Sequence, residues 1–407
     1  MNKLLLLFGI LFTGTVCIAQ YKNDNKLFKT VHTQDLCSEL QQHPGYLFLD
    51  VRSKGEYEDT SMMGMNIGRF KNAKNINVRE LGQRIEELAA YKTSPVFVYC
   101  SHSQRSRKAS KMLADSGFTN VFNINAGLTG ILQLPAEGNE CVFNQLITKN
   151  SFTMLSAQDF CRKLSLNPSR TFILDVRDDS AYRHISSDAR VNAYGTFKTA
   201  LHIPLADLQT GKAAIPKTLD IVVIDLFGDD ATKAAELLKK NNYPHVSVLL
   251  EGIDRMLEIN DRELTCMAGD FVSPVSYKII SARQLQSVMD SKANYVFFDI
   301  RSQEEFENRH KNAWQNIGHL VNAINIPASE IGQQTDLIKK YKNIPVIVYG
   351  FGSSTSVYEA ASRLIAKGFT DVSVLQGGIF NVGWTAANIK GFSALAGLRV
   401  DVPADNQ

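Results

Sequence analysis

No two cysteines in the 407 residues are spaced Cys-x-x-Cys, so the chain lacks the motif of a thiol redox protein with an adjacent resolving thiol. It also lacks a Lys/Arg tract. The 44 basic and 41 acidic residues are mixed along the sequence and leave a net charge of +3, which excludes the electrostatic footprint of a dedicated nucleic-acid binder. No apolar run reaches the roughly 20 residues needed to cross a hydrocarbon core, so no membrane span is expected. With 44% hydrophobic and 21% charged residues, the composition is not that of a disordered or collagen-like chain. What is present is a globular sequence long enough for two or three domains of roughly 150 residues each.

The N-terminus sets the expected compartment. Lys3 precedes the apolar run Leu4 to Val16, and Cys17-Ile18-Ala19 offers a small-x-small cleavage site before Gln20. Residues 1–19 therefore read as a secretory signal peptide, and the mature protein is expected to be exported, periplasmic or extracellular. Gly14-Thr15-Val16 lacks the leucine that the usual lipobox carries, which favours cleavage after Ala19 over lipidation at Cys17.

Three landmarks recur about every 125 residues. The first is Leu49-Asp50-Val51-Arg52, Leu174-Asp175-Val176-Arg177 and Phe298-Asp299-Ile300-Arg301, each closing a strand-like run. The second is the apolar runs Pro95 to Tyr99, Asp220 to Ile224 and Pro345 to Tyr349, each leading through a polar loop into a helix-like segment. The third comprises Gly127, Gly252 and Gly378, each following a short strand pattern and read as a backbone turn. A unit this long is a whole domain. Tandem domains are expected at 27–145, 150–270 and 275–392, followed by a tail at 393–407. Helical patterns alternate with short β-branched or aromatic runs inside each, which predicts an α/β fold with an open, mostly parallel sheet covered by helices on both faces.

In such sheets ligands bind beyond the carboxyl ends of the strands. There the first repeat has Cys100-Ser101-His102-Ser103-Gln104-Arg105-Ser106, leading into a predicted helix. Unpaired N–H groups and the dipole at a helix start favour an anion, and the same field favours thiolate, the nucleophilic form of cysteine. Arg105 adds a fork-shaped donor suited to an oxyanion. His102 reads equally as a donor or acceptor contact or as a solvated loop residue. Arg107, Lys108 and Lys111 follow as either an electropositive funnel or a solvated helix face, and Trp314 and Trp384 most simply pack within the third repeat.

On these residues the repeats resemble rhodanese domains, and the first resembles an active sulfurtransferase of that family. The matching pieces are Asp50-Val51-Arg52 with Glu56, the Gly68 to Val78 segment, Val98-Tyr99-Cys100 with its loop, Gly127, and Gly318-His319-Leu320 through Ile326-Pro327 in the third repeat. Four residues separate Cys100 from Arg105, as in sulfurtransferases, where related phosphatases of this fold type have five. The resemblance implies that Cys100 takes the outer sulfur of a small anionic donor such as thiosulfate as a persulfide and passes it to a thiol, cyanide or acceptor protein. It implies substrate contacts from Ser101, His102, Ser103, Gln104, Arg105 and Ser106, loop support from Asp50 and Arg52, and neither cofactor nor metal. Two positions depart from the family pattern. Ser103 stands where active members usually carry glycine, which is costly if the loop needs positive φ, and Arg69 replaces a common histidine. Repeats two and three carry Asp225 and Gly350 at the nucleophile position and Asp230 and Thr355 at the arginine position, so they are expected to be structural or partner-binding. Carboxylates in the second loop would repel an anionic donor.

Removing the signal peptide leaves Cys37, Cys100, Cys141, Cys161 and Cys266, an odd number in an exported chain. Cys37 and Cys161 occupy corresponding places, as do Cys141 and Cys266, and the third repeat has neither. This pattern suggests the pairs Cys37–Cys141 and Cys161–Cys266, the rival being Cys37–Cys266 with Cys141–Cys161. Cys100 is free in both. The functional expectation is a sulfurtransferase; the alternative is an exported non-catalytic scaffold of rhodanese modules.

Overall fold

The computed structural model describes residues 23–61, 66–210, 215–259, 264–291, 294–333 and 339–403, so the signal-peptide reading of residues 1–19 lies outside the described residues. Three five-stranded sheets follow one another, every pairing within them parallel. In the first, Lys29–Val31, Val121–Ile124, Val96–Tyr99, Leu47–Asp50 and Lys74–Asn75 lie side by side in that order. The second has the same order in Thr153–Leu155, Val246–Leu249, Asp220–Ile224, Thr171–Asp175 and Leu201–His202, and the third in Lys278–Ile280, Val372–Leu375, Val346–Tyr349, Val296–Asp299 and Ile324–Asn325.

The central strands show why the pattern folds this way. Val96, Phe97, Val98 and Tyr99 are all buried, as expected of a parallel strand with helices on both faces. The chain leaves Leu47–Asp50 toward one sheet edge and Val96–Tyr99 toward the other. The carboxyl ends of these two neighbours therefore flank the place where the connections diverge, the usual position of a ligand crevice.

Each domain is closed by a two-stranded antiparallel ribbon: Arg69–Phe70 with Leu146–Ile147, Thr196–Phe197 with Phe271–Val272, and His319–Leu320 with Arg399–Val400. The last corrects the expected tail at 393–407. The turn of helix Ser393–Leu398 buries Leu395, Ala396 and Leu398, and Arg399–Val400 pairs with His319–Leu320, so residues 393–400 belong to the third domain. Disulfides Cys37–Cys141 and Cys161–Cys266 each close one domain.

Domains two and three share one apolar core. Phe160, Phe197, Ile253 and Met256 of the second are continuous with Phe298, Val348, Val357 and Leu364 of the third. A polar cluster sits in the same boundary: Asp254 accepts hydrogen bonds from Tyr194, from Arg190 at 2.9 Å and from Gln376 of the third domain at 2.7 Å. Among the described residues no helix is long and apolar enough to cross a membrane.

Candidate active site

Cys100 follows the central strand of the first sheet and is 2% exposed. Among the described residues it is the free cysteine. Its Sγ accepts the Ser103 N–H at 3.1 Å and lies 3.7 Å from Ser106 Oγ, which donates to the Ser103 carbonyl at 3.0 Å. Ser103 has φ +82°, the left-handed conformation that glycine adopts freely and that costs another residue about 1–2 kcal/mol. Its Oγ is held from two sides, accepting from Arg107 Nη1 at 2.9 Å and Asn123 Nδ2 at 3.1 Å. Helix Gln104–Asp115 begins at the next residue, so the Ser103 N–H reaches the sulfur from a helix start.

The loop is fixed from beneath by Gly127. Its φ is +59°, and a Cβ there would lie 2.3 Å from the Cys100 carbonyl oxygen and 2.4 Å from that of Ser101. This close approach lets Leu128 N–H donate to Cys100 O at 2.9 Å and Thr129 N–H to Ser101 O at 3.2 Å. Gly252 and Gly378 repeat the arrangement, with Ile253 N–H on Asp225 O and Ile379 N–H on Gly350 O. Asp50 and Arg52 form a buried ion pair at 2.7 Å, and Arg52 also donates to Gly68 O. Asp175–Arg177 and Asp299–Arg301 reproduce that pair in the other domains.

Arg105 does not present a free fork. Both terminal nitrogens donate to the Glu56 carboxylate at 2.7 Å, and one also donates to Ser101 Oγ at 2.9 Å. Glu56 is aimed by a capping box: its carboxylate accepts the Ser53 N–H at 3.1 Å and its own N–H donates to Ser53 Oγ, at the start of helix Lys54–Glu58. Burial would raise Glu56, but the hydrogen bonds and charge of Arg105, with Ser53, hold its pKa down to about 2. The same pairing raises Arg105 further. The fork-shaped donor expected of Arg105 is thus already engaged by a carboxylate of its own domain.

The other loop and helix residues differ in their surroundings. Ser101, Ser103 and Ser106 are buried in the loop, whereas Gln104 is exposed. His102 is bridged to the second domain, its Nε2 lying 2.7 Å from Glu251 Oε1, and its carbonyl accepts Trp384 Nε1–H from the third domain at 3.3 Å. Glu251, despite burial, is lowered by His102 and Arg255. Trp384 therefore does not simply pack within its own domain, and Trp314 is 60% exposed. Two of the three basic side chains on the helix are engaged, Lys111 with Asp115 and the buried Arg107 with Asp24, Asn125 and Asn388, while Lys108 is exposed. Sequence reasoning gave no role to Asp24, Glu251 or Asn388. Ser53-Lys54-Gly55-Glu56 does carry a capping-box signature that marks Glu56 as locally ordered.

A cavity of about 450 Å³ opens beside the loop where all three domains meet, lined by His102 and Gln104, by Glu251 and Glu258, and by Phe380 and Trp384. The other two loops hold no thiol. Asp225 turns its carboxylate into its own loop and accepts N–H groups of Gly228 at 2.5 Å, Asp230 at 2.8 Å and Ala231 at 3.1 Å. Burial pushes its pKa up to about 6 against those hydrogen bonds. In the third loop Thr355 Oγ1 donates to Asp188 of the second domain at 2.6 Å. Among the described residues no group of three or more His, Cys, Asp or Glu side chains is placed to hold a metal ion.

Three parallel sheets of one strand order, with a thiol at the switch point of the first, define a tandem α/β protein built on one domain type. The model of the rhodanese-like domain matches residues 33–134, 156–258 and 281–386, and the chain belongs to that family. A 92-residue stretch is 36% identical to the tRNA uridine(34) hydroxylase of Cytophaga hutchinsonii, covering 22% of this chain and 27% of that protein. The chain thus spans about a quarter of that relative's length. The uncharacterized protein YqhL of Bacillus subtilis is 29% identical over 110 residues, 27% of this chain and 77% of its own. Among solved structures, the thiosulfate sulfurtransferase of Pseudomonas aeruginosa aligns over 86% of this chain and 66% of its own, at 16% identity and a TM-score of 0.23.

Proposed function

We propose that this protein is an exported sulfurtransferase whose first domain carries sulfane sulfur on Cys100, the second and third domains carrying no nucleophile and being structural or partner-binding. The observation that carries the reading is a cysteine outside both disulfides, seated at a helix start with the Ser103 N–H directed at its sulfur. The Cys100 thiolate attacks the outer sulfur of a donor such as thiosulfate. The donor's S–S bond breaks, its electron pair leaves on sulfite, and Cys100 becomes a persulfide. Cyanide or a thiolate then takes the terminal sulfur and restores the Cys100 thiolate. Loop N–H groups stabilise the sulfur anion, while Arg105 and Glu56 keep the loop in shape. Disulfides in two domains fit an oxidising compartment.

The sequestration of Arg105 by Glu56 favours a second reading, a non-catalytic partner-binding protein. The mature protein is assayed for thiocyanate formation from thiosulfate and cyanide, beside Cys100→Ser with its fold checked by circular dichroism. Activity lost only in the variant is the expected result. An inactive native protein with Cys100 confirmed reduced selects either another donor or the binding reading. Sequencing the N-terminus of the secreted protein, with Gln20 expected first, tests export.

A further inference from the structure

The third domain reaches the nucleophile through a single peptide unit. The peptide plane between His102 and Ser103 has its N–H on Cys100 Sγ, at 3.1 Å. The carbonyl at the other end of that plane accepts the Trp384 indole N–H at 3.3 Å. C=O and N–H of a trans peptide point in opposite directions on a rigid plane, so a donor holding the oxygen also fixes where the N–H points. A hydrogen bond to the carbonyl also polarises the amide and strengthens its N–H as a donor to the sulfur.

A second line from the same helix, Gly378–Asn388, ends on the next side chain. Asn388, itself buried, donates from Nδ2 to the Trp384 carbonyl at 2.7 Å and accepts Arg107 Nη1–H at 2.8 Å. The same nitrogen of Arg107 holds Ser103 Oγ, and Arg107 Nε is anchored on the Asp24 carboxylate. Ser103 has to be kept in its left-handed conformation for its N–H to reach the sulfur. Trp384 acts on the plane and Asn388, through Arg107, on the residue that follows it.

We infer that Trp384 and Asn388 of the nucleophile-less third domain are positioning residues for Cys100, so that this domain completes the first domain's site within the same chain. The kinetic part of the test rests on the sulfurtransferase reading; the alkylation part does not. In the full mature chain, Trp384→Phe keeps an aromatic ring while removing the N–H donor and part of the indole's volume. It is expected to slow iodoacetamide alkylation of Cys100 at fixed pH about three- to ten-fold, the effect of one hydrogen bond, with the melting temperature lowered by no more than a few degrees. It is also expected to lower kcat for thiocyanate formation while KM for thiosulfate stays within about two-fold.

Asn388→Ala separates positioning from general destabilisation. Its effect runs through Ser103 Oγ, so it is expected to slow alkylation in the native background and to add nothing in Ser103→Gly, where Trp384→Phe still acts. Native alkylation rates in Trp384→Phe overturn the role of Trp384. Equal losses from Asn388→Ala in both backgrounds overturn the line through Ser103. Slowed alkylation in a protein that never yields thiocyanate upholds the positioning and defeats thiosulfate as the donor instead.

Discussion

Replacing Glu56 by glutamine keeps the side chain's shape and its capping contact but removes the charge that Arg105 grips with two hydrogen bonds. In the folded protein Glu56 titrates near 2 instead of its ordinary 4.5. The unfolded chain therefore binds the proton first as pH falls. The pair's stabilisation is present above about 4.5 and is lost between there and about 2. The shift corresponds to about 3 kcal/mol, and screening at the 38% exposed arginine side chain brings the expected contribution to about 2 kcal/mol. Urea unfolding of Glu56→Gln should show that loss at pH 7 and a flatter pH dependence between 4.5 and 2. An unchanged profile would mean that the pair does not stabilise the loop. The capping of Glu56 was legible from Ser53 and Glu56 standing three apart. Its grip on Arg105 was not, because the partners are 49 residues apart and no local period reports a contact across two strand ends. The strain at Ser103 was legible, because the cost of positive φ belongs to one residue's own sterics.

The loop after the central strand occurs three times and shows what the element does without its thiol. In the second domain Gly228 has φ +97° where Ser103 has +82°, so the backbone cradle persists and the Asp225 carboxylate fills it. The acidic residues there are expected from the sequence to repel an anion. Asp225 goes further and occupies the place one would take, accepting three backbone N–H groups. Asp225→Ala should therefore empty an anion cradle. Sulfate in the millimolar range should raise the melting temperature of that variant and leave the native protein's nearly unchanged beyond the general salt effect, since a ligand that binds only the folded form stabilises it by mass action. Equal sulfate responses in both proteins would show that the cradle collapses without its carboxylate. The recurring Asp–x–Arg and glycine landmarks were readable from sequence because each copies one backbone geometry: a strand-end ion pair or an approach too close for a Cβ. The ribbon partner Arg399–Val400 was not, since two residues carry too little periodicity to mark a strand.

At the scale of the whole molecule the repeats stop being independent. Cys161 and Cys266, bridged within the second domain, lie in the apolar core that continues into the third, which has no disulfide of its own. Such continuity cannot be read from one sequence, because a buried Phe298 has the same pattern whether it faces its own domain or the next. The bridge spans 105 residues of chain, a length for which the entropic model gives about 4–5 kcal/mol. Both tryptophans of the protein, Trp314 and Trp384, lie in the third domain, so tryptophan fluorescence reports on the domain that the bridge does not touch covalently. Independent domains would leave the fluorescence transition of Cys161→Ser/Cys266→Ser at the native temperature while circular dichroism gained an earlier step. A shared core requires the second and third domains to lose their packing together. The fluorescence transition should therefore move down by several degrees with the circular dichroism step, and the Asp254 cluster that ties Arg190 and Tyr194 to Gln376 should open in the same event. Because Trp384 also holds the carbonyl of the His102–Ser103 peptide, Cys100 alkylation in the variant should depart from its native rate at that same temperature, before the first domain itself unfolds.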